Sequence, residues 1–146
     1  MKFPFIKFPA LPQPAFPGKS ECIRPVLPIF LINGPKVVRV FAVVDSGADS
    51  CVFPASLASH LGIVLPNQNS SVFCGTGNDA QLAFYEDIKV AVWSVVDRKI
   101  ALTFDLYAGF CSTMEHVGLG LLGQDGFFSK FKVSIDHRNQ CFDIEP

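Results

Sequence analysis

Val43-Val44-Asp45-Ser46-Gly47-Ala48-Asp49-Ser50 joins the end of an apolar run to a carboxylate, a hydroxyl and a glycine. From Val37 to Val44 the run is rich in β-branched and aromatic residues, and the second half is almost continuously apolar, which predicts a strand buried on both faces. An Asp that follows such a strand directly has little access to water, so keeping it ionised without donors is costly. Ser46 and Gly47 supply a hydroxyl and a glycine that lets backbone N–H groups come close. The same three residue types also make an ordinary turn, and the segment by itself leaves both readings open.

A chain of 146 residues has room for one domain with a real core. Hydrophobic residues make up 49% and charged residues 17%, so a packed globule is expected and not a disordered segment. Fifteen phenylalanines suggest further apolar burial against another subunit. The net charge of −1 with dispersed basic residues argues against a nucleic-acid partner. Cys22, Cys51, Cys74, Cys111 and Cys141 are odd in number and scattered, which points to reduced thiols in a cytoplasm and away from a disulfide framework or structural zinc. Prolines at 4, 9, 12, 14 and 17 interrupt every apolar stretch near the N-terminus, so neither a membrane span nor a secretory segment is expected there.

Residues 1–20 alternate Phe and Pro and are expected to form an extended, polyproline-like arm without ladder hydrogen bonds, lying over the core or over a second subunit. Residues 21–146 read as the domain proper. Pro25 to Ile32 is a strand whose prolines place it at an edge or a strand start, Asn33-Gly34-Pro35 a turn, and Lys36 to Val44 the next strand. Pro54 to Gly62 carries the signals of one short helix. Phe73-Cys74-Gly75-Thr76-Gly77-Asn78-Asp79 is the polar tip of a long hairpin whose return arm runs from Ala80 to Val96. Ile100 to Leu106 is another strand, and Gly109 to Glu115 an irregular connection. Val117 to Leu122 reads as a buried strand running into a short helix after Gly123, and Lys132 to Glu145 as a final hairpin. The expected class is mainly β, with one or two short helices.

Gly118-x-Gly120-x-x-Gly123 matches the dinucleotide fingerprint in letters, but that fingerprint needs a helix opening among its glycines, and Leu121-Leu122 read as strand. His60, His116 and His137 lack metal-ligand spacing, and no Gly-x-Ser-x-Gly elbow occurs. No metal or cofactor is expected.

The strand ending in Asp45-Ser46-Gly47-Ala48, the glycine-tipped hairpin and Leu121-Leu122-Gly123-Gln124-Asp125 together resemble the retropepsin-like, retroviral-type aspartic proteases over roughly residues 24–145. The resemblance implies a closed-barrel-like acid protease fold that forms one subunit of a homodimer. It makes Asp45 the catalytic residue, with Ser46, Gly47, Ala48 and Asp49 supporting the catalytic turn. Cys74, Gly75, Thr76 and Gly77 correspond to the flap over the substrate, Leu121 to a pocket residue, and Leu122, Gly123, Gln124 and Asp125 to the segment packed behind the turn. Gln124 departs from the family's usual Arg, so an ion pair to Asp49 is replaced at best by a neutral hydrogen bond.

With one Asp-Ser-Gly in the sequence, the resemblance requires Asp45 from each of two copies to meet at a two-fold axis and share a proton. One carboxylate then activates the attacking water, and its protonated neighbour hydrogen-bonds the peptide carbonyl. Substrate is expected to lie extended beneath the flap, and the strand Cys141 to Glu145, with the N-terminal arm, is the expected subunit interface. Two alternatives remain: a catalytically weak or inactive dimeric peptide-binding module of the same fold, and an assembly domain in which Asp45 only caps a turn.

Overall fold

The computed structural model describes residues 1–74 and 80–146, with Cys74 described in its backbone alone. In chain order it holds β1 (Lys2–Pro4), β2 (Ile6–Pro9), β3 (Glu21–Arg24), β4 (Val26–Asn33), β5 (Lys36–Val44), β6 (Val52–Pro54), α1 (Ser56–His60), β7 (Ser70–Cys74), β8 (Ala80–Ser94) and β9 (Lys99–Cys111). A 3-10 helix (Ser112–His116) follows, then β10 (Gly120–Leu122), β11 (Lys132–Asp136) and β12 (Cys141–Glu145). The mainly β expectation holds, and helix is confined to these two short pieces among the described residues.

Six strands close into a mixed barrel in the order β4-β5-β10-β6-β9-β8, and β8 returns to β4 through Ile29↔Val92 to Ile32↔Lys89. The β5–β10 and β6–β9 pairs are parallel, and the other pairs in the ring are antiparallel. Closure pairs the edges that an open sheet would leave exposed. β7 hangs outside the ring on β8 as the ascending arm of the long hairpin. Pro28 lies where β4 pairs with β5 alone, so its missing N–H leaves the β8 side of the ladder intact. At the expected turn Asn33 faces Lys36, and Gly34 takes φ +55°, which glycine adopts without a Cβ penalty.

The interior holds Leu27, Ile29 and Leu31 of β4, Val40, Ala42 and Val44 of β5, Val90 and Val92 of β8, and Leu106 and Phe110 of β9. Burying each of the larger side chains stabilises the fold by about 1.5–3 kcal/mol relative to leaving it exposed. β5 is buried on one face only, contrary to the expectation of two. Its alternate residues Phe41 and Val43 are half-buried, because a barrel wall has one inner face. Phe8 covers part of the outer face, its ring centre 6.4 Å from that of Phe41.

Three local expectations are corrected. The N-terminal arm does make ladder hydrogen bonds: β1 pairs with β12, and β2 pairs with β3. Pro4 and Pro9 fall at the last position of their strands, where a missing donor interrupts nothing. Gly109 to Cys111 is not a loop but the end of β9, paired with β6. Its glycine makes room for an aromatic ring, since a Cβ on Gly109 would sit 2.9 Å from Cζ of Tyr85. Finally, the residues after Gly123 form hydrogen-bonded turns in place of a helix. Gly126 has φ +102°, outside right-handed helical space, and its Cα faces Leu106, whose Cδ1 a Cβ would meet at 2.4 Å. Phe127 and Phe131 anchor that segment against Phe104, with ring centres 5.9 and 5.2 Å from it.

β12 is the middle strand of a three-stranded sheet in the order β1-β12-β11. Both of its edges are occupied, so the strand expected to pair with a second copy has no free edge. In this sheet the free edges belong to β1 and β11.

Candidate active site

The alternation that turns Val40, Ala42 and Val44 into the barrel brings Asp45 to its rim, half-buried, with Ser46 and Gly47 exposed beyond it. Asp45 N donates to Leu122 O at 3.0 Å and extends the parallel pairing of Val43 with Leu121 and Val44 with Leu122 by one residue. The chain then reverses, with Ala48 N donating to Asp45 O at 3.2 Å. The Asp45 carboxylate accepts the Gly47 N–H at Oδ1, 2.9 Å away, and makes no ion pair among the described residues. This one backbone donor orients the carboxylate and leaves its other oxygen available to an incoming group.

The second motif braces this turn from behind. Gln124 N donates to Ala48 O and Asp125 N to Asp49 O, each at 2.8 Å, and Ser50 forms a parallel bridge with Asp125. Gly123 is the contact point: a Cβ there would lie 2.4 Å from Ser50 O and 2.5 Å from Ala48 O, both backbone atoms. Only glycine lets the two segments approach so closely. Gln124 does not reach Asp49. Its side-chain amide donates to Ser46 O instead, so it ties down the exposed tip of the turn and leaves the Asp49 carboxylate without an ion pair among the described residues.

Leu121, the expected pocket residue, packs half-buried on a smaller cluster and not in the main core. With Val52, Ala83, Cys111, Met114, Phe73 and Tyr85 it forms a second, smaller apolar cluster. This cluster joins the Asp45-turn side of the barrel to the base of the long hairpin through Leu121, Val52 and Phe73. Gly75, Thr76 and Gly77, the expected flap tip, lie outside the described residues, and of Cys74 the backbone is described, paired with Ala80.

Beside the turn opens a cleft of about 480 Å³, lined by Asp49, Ser50, the segment from Asn69 to Phe73, Tyr85, Tyr107, Asp125 and Gly126. Ser50 Oγ and Tyr85 Oη are 2.8 Å apart, and the Tyr85 and Tyr107 rings stack with centres 5.2 Å apart. Sequence reasoning missed Ser50, Tyr85 and Tyr107. The available signal was composition, because in a chain of fifteen phenylalanines the two tyrosines are the aromatic residues that carry a hydroxyl. Asp45 itself stands outside the lining of this cleft.

Cys51 shows how tightly the turn and the brace are joined. Its thiol accepts from Gly123 N at 3.3 Å and lies 3.4 Å from Asp125 O. Burial, opposed by the Gly123 contact and reinforced by the Asp125 carboxylate, pushes its pKa from 9.0 up to about 11. The folded chain therefore holds this proton to higher pH than the unfolded chain, and stability falls as pH rises from 9.0 to about 11. Denaturant titrations of the wild type and Cys51→Ala across that window should differ in slope, the wild type losing about 2–3 kcal/mol more. Parallel curves would contradict the buried neutral thiol.

No group of three or more His, Cys, Asp or Glu side chains suited to a metal ion occurs among the described residues, and no helix there is long and apolar enough to cross a membrane. Comparison with protein-family models and with curated proteins finds no match for this chain.

Proposed function

We propose that the chain is one subunit of a homodimeric aspartic endopeptidase of the retropepsin-like kind, working in a reducing, cytoplasmic compartment. The observation that carries this reading is the setting of Asp45. Its carboxylate stands at the rim of a closed barrel, held by one backbone N–H, on a turn locked from behind by Gly123 and Gln124. A mere turn cap does not need such a brace. Two copies facing each other across a two-fold axis bring two Asp45 carboxylates together, which then share one proton.

In the proposed reaction the ionised Asp45 takes a proton from water as the water oxygen attacks the peptide carbonyl. The protonated Asp45 donates a hydrogen bond to the carbonyl oxygen, and proton return to the nitrogen expels the amine. The Ser46 hydroxyl, exposed beside Asp45, is available to the partner across the axis. The half-buried Leu121 and Phe73, packed on the buried Val52, receive apolar side chains flanking the scissile bond, and the peptide lies extended under the hairpin. The half-buried rim position of this carboxylate also suits a dimer that binds peptide without cutting it.

The two are separated by mass-spectrometric cleavage of a diverse peptide library from acid to neutral pH, at concentrations that favour dimer. The proposal expects cleavage between apolar residues by the wild type and none by Asp45→Asn. A folded, demonstrably dimeric wild type that cuts nothing would replace endopeptidase by binding module.

A further inference from the structure

We infer that the cleft beside the catalytic turn is a subsite for a basic side chain of the substrate, Arg in preference to Lys, at a position beyond the residues flanking the scissile bond. This rests on the reading of the chain as a peptide-binding aspartic protease. The cleft has room for a long side chain at about 480 Å³ and is continuous with both the hairpin strand β7 and the turn that begins at Asp45. One wall is the stacked Tyr85–Tyr107 pair, with Tyr85 fixed through its hydroxyl by Ser50 and Tyr107 half exposed. Such a wall offers aromatic faces to a planar cation.

The charged lining is of one sign. Asp49 and Asp125 contribute carboxylates from backbone positions joined by the 2.8 Å Asp125 N to Asp49 O bond, and no Lys or Arg lines the cleft. Neither carboxylate makes an ion pair or a side-chain hydrogen bond among the described residues. The neighbour placed to answer Asp49 is Gln124, and its amide is engaged with Ser46 O. A guanidinium stacked on Tyr107 supplies the missing charge with a planar donor fork, which an ammonium does not match. The apolar cluster around Leu121 takes the flanking residues, so charge and apolar recognition fall on different positions of one peptide.

The test is a set of peptides that share an apolar scissile pair and carry Arg, Lys, Gln or Glu at each outer position in turn. Each protein is scored by the ratio of its Arg to its Gln peptide, so that changes in basal rate cancel. At one position the wild type should prefer Arg over Gln by about tenfold in kcat/KM at low salt, with Glu worst and the preference shrinking as salt rises. Asp49→Asn and Asp125→Asn should each reduce the ratio, and Asp125→Lys should invert the order of Arg and Glu. Cleavage with no charge preference at any position overturns the inference and leaves the protease reading intact. If nothing is cleaved, anisotropy titrations of the same peptides onto Asp45→Asn decide separately: tighter binding of the Arg peptide upholds the basic subsite without proteolysis, and equal or absent binding overturns it.

Discussion

Asp45→Asn is expected to lower kcat/KM by about a thousandfold or more while leaving the fold and the dimer in place. Asn is nearly isosteric with Asp, and its side-chain oxygen still accepts the Gly47 N–H that now reaches Asp45 Oδ1 at 2.9 Å. In the proposed mechanism the substitution removes the group that takes the proton from water and the group that holds it, in both subunits at once. Stability should change by no more than about 1 kcal/mol, because the one hydrogen bond is kept. The proposed dimer should form at least as well, since like charges no longer meet at the axis. Steady-state kinetics on one peptide with thermal unfolding of both proteins checks this. If Asp45 were only a turn cap, no catalytic rate would depend on it.

Gly123→Ala should be the most damaging single methyl group in the described chain. The added carbon meets two backbone oxygens, Ser50 O at 2.4 Å and Ala48 O at 2.5 Å, and neither can rotate away as a side chain does. Relief requires the brace to part from the Asp45 turn, which breaks the Gln124 N to Ala48 O and Asp125 N to Asp49 O bonds. The expected loss is about 3 kcal/mol or more, or roughly 10 °C in Tm for a domain of this size. Gly18→Ala is the control, since a Cβ there meets nothing within 4 Å. Equal melting temperatures for the two variants would contradict the close packing of the two motifs.

The strands and turns that rest on local chemistry were legible in the sequence. Asn33-Gly34-Pro35 marked its hairpin, and the alternation of Ile88, Val90, Val92 and Ser94 marked the buried face of β8. What local pattern does not carry is partnership. Gly109 reads as a loop residue, yet its function is to sit under the Tyr85 ring, a contact set by the β8–β9 register. Gly126 ends the expected helix because Leu106 from another strand occupies its Cβ position. The arm prolines read as excluding ladder hydrogen bonds, but β12 offers an edge that β1 uses up to its final proline.

The site divides in the same way. Asp45, Ser46 and Gly47 stand out because an apolar strand ends in a carboxylate, and Gly123 because it stands in a matching motif. The contact between the two motifs comes from the parallel β5–β10 pairing, which joins segments far apart in the chain. Gln124 was read as a weakened partner for Asp49, whereas its amide reaches Ser46 O. That leaves Asp49 facing the cleft with Asp125, and the tyrosine wall opposite was not anticipated.

The central claim is that one active centre needs Asp45 from two copies of the chain. Subunit mixing tests it most directly: wild type and Asp45→Asn are combined at fixed total concentration, allowed to exchange, and assayed on one peptide. If each centre needs both carboxylates, activity falls as the square of the wild-type fraction, so an equal mixture retains about a quarter of the wild-type rate. A linear fall, with about half the rate retained, would show that each copy works alone and would contradict the two-chain active site.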